Sequence, residues 1–322
     1  MKSILIISIL FIYQFGNCQL NKANLELGYK PQSRKFDDRQ TNQFKHLKLY
    51  YIKGKPSLEI EVRGIVGNYM NLETALKYKK IAIKEISKEG TVNSLLFHNL
   101  SKDTILVQLG DVVKGGKQDR VIEHDALILP GQKKTLSVYC VEHGRWNAGS
   151  DRSGSAASFQ SYHSNINSDI KKSIVKDKDQ SRVWSKVAEK NALNTTETSS
   201  GTYTAMSSNA NYNKDMNAYL ANFIADIEKD KDIVGVLAVT GDRIIGCEIY
   251  ASSKLLKANI RNVLNSFISE ALLNGSEVKI QDKKVYDYLS DLTDNEEKQE
   301  QMLKDNGKSL KHNGKKVKLS SF

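Results

Sequence analysis

Two stretches of the chain concentrate the residue types that do chemistry: Gly110 to Arg120, GDVVKGGKQDR, and Cys140 to Trp146, CVEHGRW. In the first, Gly115 and Gly116 stand beside Lys117, Gln118 and Arg120, so backbone amides and cationic donors could line a small anion-binding concavity. A glycine β-bulge flanked by solvated charges would use the same residues. A nucleoside-triphosphate loop is excluded by spacing, because an extra glycine intervenes, Gln118 stands where the hydroxyl belongs, and no helix follows. In the second stretch Glu142 is the candidate catalytic residue, an acid or base if desolvated; it could equally pair with Arg145 or orient a ligand hydroxyl. Trp146 either plugs the edge of the core or offers a stacking face, as Trp184 could. Strand alternation puts Cys140 and His143 on opposite faces, which disfavours a thiolate-imidazole pair.

Other chemistries find little support. The six histidines are dispersed, with no HExxH, no CxxC and no carboxylate-rich calcium loop, so no metal site and no cofactor is expected. No GxSxG marks a serine hydrolase. The formal net charge of +11 favours anionic partners. Its lysines are scattered among acids and form no basic stripe with exposed aromatics, so a small anionic molecule is the expected partner and nucleic acid is not.

The elements that must position these residues are legible in outline. LEIEVRGIV (Leu58 to Val66) alternates like a half-buried strand, Asn71 caps a short helix carrying Leu72, Ala75 and Leu76, and Ile81 to Ile86 alternates again. Val92 to Cys140 supplies four short strands, two around a turn at Asn99 to Asp103 and two more broken at Pro130-Gly131. After Trp146 a Ser-, Gly- and Asn-rich stretch reads as a connection. A helix is expected from Asp169 to Leu193, and a second polar linker from Asn194 to Asn213. Met216, Leu220, Phe223, Ile224 and Ile227 then share a helical face. Two apolar runs around Gly241-Asp242 form a hairpin, and Leu255 to Leu272 mark another amphipathic helix.

The fold class expected is α+β: an antiparallel, sandwich-like β-rich domain over 44–147, a polar linker over 148–168, and a helix-hairpin-helix α+β domain over 169–290. Residues 291–322 form a basic tail or a hairpin turning at Asn313-Gly314, and residues 19–43 an N-terminal extension. The opening MKSILIISILFIYQFGNCQ has the layout of a secretory signal peptide over residues 1–18, too short for a membrane span and with no later stretch that long. Export to the periplasm or beyond is therefore expected, with a lipoprotein anchored through Cys18 as the alternative. Cys140 and Cys247 then remain, as one bridge or as two buried strand thiols.

The paired stretches, with their Gly-Gly-Lys-Gln-x-Arg and Cys-Val-Glu-x-Gly-Arg-Trp patterns, resemble the bacterial "ARG and Rhodanese-Phosphatase-superfamily-associated protein" domain. Tyr69 with Leu72, Ala75 and Leu76, Gln180 with Trp184, and Gly235 to Tyr250 extend the resemblance from Tyr69 to Leu272. That family has no determined function; its gene-neighbourhood links imply ADP-ribose or nicotinamide-nucleotide metabolism. The resemblance singles out Lys117, Gln118, Arg120, Glu142, Arg145 and Trp146. Three readings follow: an exported binding or accessory protein for an anionic or sugar-like ligand, an enzyme acting on an ADP-ribose or nucleotide derivative, and an envelope protein in which these residues only brace the fold.

Overall fold

The computed structural model describes residues 19–86, 93–145 and 158–322. The chain is α+β, built on two large antiparallel β-structures. One is a closed barrel of six strands, in the order Asp111–Gly115, Arg120–Ile122, Lys133–Cys140, Ser94–Asn99, Ile81–Glu85 and Ser158–Asn165. Closure removes the unpaired edges that a sandwich would leave. The sandwich expectation is thereby corrected. The stretch 148–168, expected to be a linker, supplies the closing strand: Ser158–Asn165 pairs with Asp111–Gly115 on one side and Ile81–Glu85 on the other. Its exposed residues hid it, since Phe159 is the only aliphatic or aromatic side chain of this strand that is fully buried.

Alternation fills the barrel. Ile83, Phe97, Val113, Ile122, Leu136, Val138 and Phe159 pack together in its interior, and Leu72, Ala75 and Leu76 of the helix Leu72–Lys77 pack against them. Asn71 caps that helix by accepting from the Thr74 amide at 2.8 Å, as its sequence position requires.

The second structure is a seven-stranded sheet in the order Leu25–Glu26, Leu47–Gly54, Ile233–Thr240, Arg243–Tyr250, Lys315–Ser321 and Gly307–His312, with Thr41–Phe44 also paired to Leu47–Gly54. The two strands joined at Gly241-Asp242 lie at its middle, which explains why Ile233–Thr240 is apolar on both faces. Val236 and Ala238 meet the helices Ala210–Lys229 and Ser253–Asn274, whereas Val234, Leu237 and Val239 meet Pro56–Val62, Asp282–Leu292 and Glu296–Asn306.

Several local expectations change. Leu58 and Val62 are buried one helical turn apart while Glu59 and Ile60 are exposed, so the stretch read as a strand is the helix Pro56–Val62, with proline at its start. The single helix expected over Asp169 to Leu193 is two, Ser168–Lys176 and Gln180–Leu193, because Lys178 takes a positive φ of 52° and Asp179 caps the second. The 194–213 stretch contains the 3-10 segment Tyr203–Ser208 and the start of the next helix. Residues 307–321 form the hairpin alternative, turning at Asn313-Gly314, with Val317 and Leu319 fully buried. Cys140 and Cys247 are buried on strands of the two separate structures and are not bridged to each other. Residues 1–18, with the expected signal and Cys18, lie outside the described residues, and among the described residues no helix is long and apolar enough to cross a membrane.

Barrel and sheet meet through buried charge. Lys318 Nζ lies 3.1 Å from Asp125 Oδ1 and 3.1 Å from Glu248 Oε2, and Lys171 Nζ lies 3.3 Å from Glu248 Oε1. All four side chains are almost completely buried. Burial works against the Lys318 ammonium, but the charges of Asp125 and Glu248 outweigh it and hold the group protonated well above the usual lysine range. Asp125 also accepts from the Leu109 amide, and Asp111 accepts from Gln108, Tyr162 and Asn165, fixing the chain that enters the barrel.

Removing one member of such a network leaves uncompensated charge in a dry interior. Lys318→Met is expected to lower stability by about 3 to 5 kcal/mol, measured by denaturant unfolding. A second expectation concerns His163 on the closing strand, whose ring burial, aided by Lys114, depresses its pKa from 6.5 to about 4. The unfolded chain takes up this proton near 6.5 and the folded chain does not, so stability present above that pH is lost as the pH falls towards 4. The ring is only half-buried, so about 2 kcal/mol is expected from this source. His163→Gln should flatten the unfolding free energy between those two pH values by that amount.

Candidate functional site

The two motif stretches converge at one end of the barrel. Register pairs Arg120 with Cys140 and with Val113, and Ile122 with Val138. Since alternate residues share a face, Arg120 and Cys140 point to the same side as Val113, Ile122 and Val138, which is the barrel interior. By the same alternation Glu85 follows Ile83 inward. Arg120, Cys140 and Glu85 thus stand around the barrel mouth.

The turn across this mouth needs its glycines. Gly115 and Gly116 have φ of 142° and 50°, and a Cβ on Gly116 would sit 2.6 Å from Phe159 Cζ and 2.8 Å from Glu85 Oε1. This lets the Lys117 amide donate to Glu85 at 2.8 Å. Beyond the turn, the buried Gln118 donates through Nε2 to the Glu142 carbonyl at 2.7 Å, and the Asp119 amide donates to Glu142 Oε2 at 3.0 Å. Gln180 binds both backbone groups of Cys140, at 2.8 and 2.9 Å, extending the strand end with a side chain.

Glu142 and Arg145 are closed on each other. Arg145 Nη2 lies 2.6 Å from Glu142 Oε2 and 3.4 Å from Asp119 Oδ1, and Nη1 donates to the Gly116 carbonyl at 2.9 Å. Burial alone would raise the Glu142 pKa, but hydrogen bonds from Arg145, Ser200 and the Asp119 amide, with the charge of Arg145, bring it below the usual carboxylate range. A carboxylate held ionised by an arginine is a poor general acid. Of the readings open for Glu142, the structure shows the ion pair with Arg145.

Arg120 differs. It is 2% exposed, its Nη1 donates to Gln118 O at 3.0 Å and to Gln118 Oε1 at 3.3 Å, and its Nε has no partner. Burial lowers its pKa, and no carboxylate stands within ion-pair distance among the described residues. Four lysines are comparably buried, and each has a carboxylate: Lys171 with Glu248, Lys190 with Asp169, Lys316 with Glu296, and Lys318 with Asp125.

The structure therefore brings Lys117, Gln118, Arg120, Glu142 and Arg145 together; Trp146 lies outside the described residues. Trp184 is met edge-on by His143 at 4.5 Å. Cys140 and His143 do not form the disfavoured pair, since the strand ends at Cys140 and His143 turns to Trp184. Sequence reasoning missed Asp119, which accepts from Thr202 Oγ1 at 3.0 Å and Thr204 Oγ1 at 3.1 Å as well as from Arg145. It also missed Glu85. The Asp119 signal was its place inside the Lys117 to Arg120 run; the two threonines lie in a polar stretch with no pattern.

Fold and site together define an α+β chain in which a closed barrel, with an unmatched arginine at its mouth, is set against a helix-covered sheet. The family model of the ARG and Rhodanese-Phosphatase-superfamily-associated Protein domain matches residues 36–321, and the chain belongs to that family. No curated protein and no solved structure matches it.

Gly116→Ala tests the turn. With strained φ and a collision at both Phe159 and Glu85, it is expected to cost about 2 to 4 kcal/mol in denaturant unfolding.

Proposed function

We propose that this chain is an exported binding protein that receives a small anionic molecule at the barrel mouth, with Arg120 meeting its charge. The carrying observation is the contrast among the buried cations: four lysines are matched by carboxylates and Arg120 is not. A guanidinium stays protonated in proteins, so the fold cannot relieve this burial by neutralising the group. An anion of the right size completes it, with the guanidinium fork giving two parallel bonds to a phosphate or carboxylate. Mouths of barrels are common ligand sites. Lys117 adds positive charge beside the turn, and the opening Lys2 and apolar run support export. The family's gene-neighbourhood links make ADP-ribose derivatives the first ligands to try.

The brace reading has its own support. Asp119, Glu142 and Arg145 tie the barrel end to Thr202 and Thr204, which joins the barrel to the segment before the Ala210–Lys229 helix. An enzyme using Glu142 as acid or base gains no such support.

Thermal unfolding with ADP-ribose and with inorganic phosphate separates the two. A saturable rise in Tm with either probe, lost in Arg120→Gln and partly kept in Arg120→Lys, is the expected result. If neither probe raises Tm, and Arg120→Gln lowers Tm, the site is a brace.

A further inference from the structure

The barrel end opposite the mouth carries a second feature. Register fixes which end this is: Ile81 pairs with Asn99 and Lys133 with His98, whereas Glu85 and Cys140 end the same strands at the mouth. Three loops meet there, after the helix Leu72–Lys77, after the strand Ser94–Asn99, and before the strand Lys133–Cys140. Backbone and amide bonds stitch them together. The Leu100 amide donates to the Lys80 carbonyl at 2.8 Å, the Asn99 amide to the Gln132 carbonyl at 3.0 Å, and Asn99 Nδ2 to the Ile128 carbonyl at 2.9 Å.

Each loop holds one large apolar side chain in solvent: Tyr78 is 62% exposed, Leu100 56% and Leu129 42%. Three other large hydrophobic side chains, Ile60, Ile86 and Leu193, are exposed among the described residues, so half of the set falls on this one barrel end. Single exposed apolar groups are ordinary, but a grouping on adjoining loops marks a contact surface. The loops cannot retract these side chains easily, because each is bonded to its neighbour.

Each apolar tip also has its own lysine close by in the chain: Lys79 beside Tyr78, Lys102 beside Leu100, and Lys133 beyond Leu129. These three lysines are exposed, and their ammonium groups make no hydrogen bond or ion pair with the described residues. Residues 77–80, 100–104 and 129–134 together hold six lysines and one carboxylate, Asp103, which is already paired with Lys80 at 3.2 Å. The surface is therefore cationic with apolar points, and its complement is anionic with an apolar layer beneath. A lipid bilayer with acidic headgroups has that profile. Three separate tips suit a fluid partner that each enters on its own, and tyrosine is favoured at the headgroup level. Nucleic acid would reward aromatic platforms for its bases, and two of the three tips are leucines.

We propose that this barrel end docks on an anionic lipid bilayer, with Tyr78, Leu100 and Leu129 entering the headgroup layer and Lys79, Lys102 and Lys133 facing lipid phosphates. Attachment is peripheral and reversible. It is independent of the barrel-mouth reading and leaves the mouth facing away from the bilayer.

Cosedimentation of the full chain with phosphatidylcholine vesicles, with and without roughly one-third phosphatidylglycerol, tests this. Binding is expected to the mixed vesicles and not to phosphatidylcholine alone, and it should fall as NaCl is raised from about 0.05 to 0.5 M. A lysine near an acidic leaflet is worth about five-fold in partitioning, so Lys79→Glu with Lys102→Glu should weaken binding at least about ten-fold. Leu100→Ser with Leu129→Ser, which leaves the charge alone, should weaken it at least about five-fold. Both variants should keep the wild-type unfolding midpoint, because the four side chains are exposed. Arg120→Gln should bind the vesicles as the wild type does, so failure at the mouth and failure here are told apart. Absence of binding to the acidic vesicles would overturn the proposal. So would binding that ignores the leucine substitutions, or binding to duplex DNA as tight as to the acidic vesicles, either of which marks a general cationic surface.

Discussion

Two ammonium groups without access to water hold the halves of this molecule in register. Lys318 comes from the last strand of the sheet and Lys171 from a helix after the barrel; Glu248 bridges them, and Asp125 answers from the barrel side. Each isolated charge would cost several kcal/mol to dehydrate, so the arrangement is favourable only with all four in place. The network is therefore less a source of net stability than a condition of geometry. A barrel rotated or shifted against the sheet would separate Asp125 from Lys318 and strand both. Hydrogen bonds extend this condition, since Gln108 joins Tyr250 of the sheet to Asn259 of the central helix while its own amide is held by Asp111.

That constraint reaches the candidate site through the backbone. Asp111 begins the strand that ends at Gly115, so fixing one end of this five-residue strand fixes where the turn crosses the barrel mouth. The turn is constrained again at its far side, where Gln118 and Asp119 bind Glu142. Arg145 closes the knot by bonding two carboxylates and the Gly116 carbonyl together. Four of the motif residues thus spend their hydrogen-bonding capacity on the chain itself, and what they position is Arg120.

Much of this was legible beforehand, for physical reasons that differ by element. The helix Ser253–Asn274 announces itself because its apolar residues keep a helical period over 22 residues, and the turn at Gly241-Asp242 because its chemistry is local. The helix Pro56–Val62 was misread because five residues of LEIEV satisfy both periods, and only burial distinguishes Leu58 and Val62 from Ile60. The strand Ser158–Asn165 was invisible because one face is solvated and the other carries polar groups such as Asn165, whose partners Leu109 and Asp111 lie more than 50 residues away. At the site, residue types pointed to the correct convergence of the two stretches. They could not distinguish the two arginines, which sit in similar company in the sequence and differ only in which carboxylates the fold delivers to them.

That difference carries the weight of the proposed function. Arg145 is half-buried and doubly paired, so its charge is already answered inside the protein. Arg120 is deeper, and the backbone and amide oxygens of Gln118 are dipoles, not charges. Dipoles replace part of the lost hydration of a guanidinium, and Glu85 and Asp119 act on it through space without pairing with it. Around the mouth Lys117, Arg120 and Arg145 stand with Glu85, Asp119 and Glu142, so in the proposed reading the long-range pull on anions comes from the cationic charge of the chain as a whole. A chain that needed only a plug at this position could have used leucine or methionine at lower electrostatic cost, as replacements of buried ion groups by apolar residues show. Keeping a guanidinium there without a paired carboxylate is the feature on which the proposed binding reading rests, with the counter-charge arriving with the ligand.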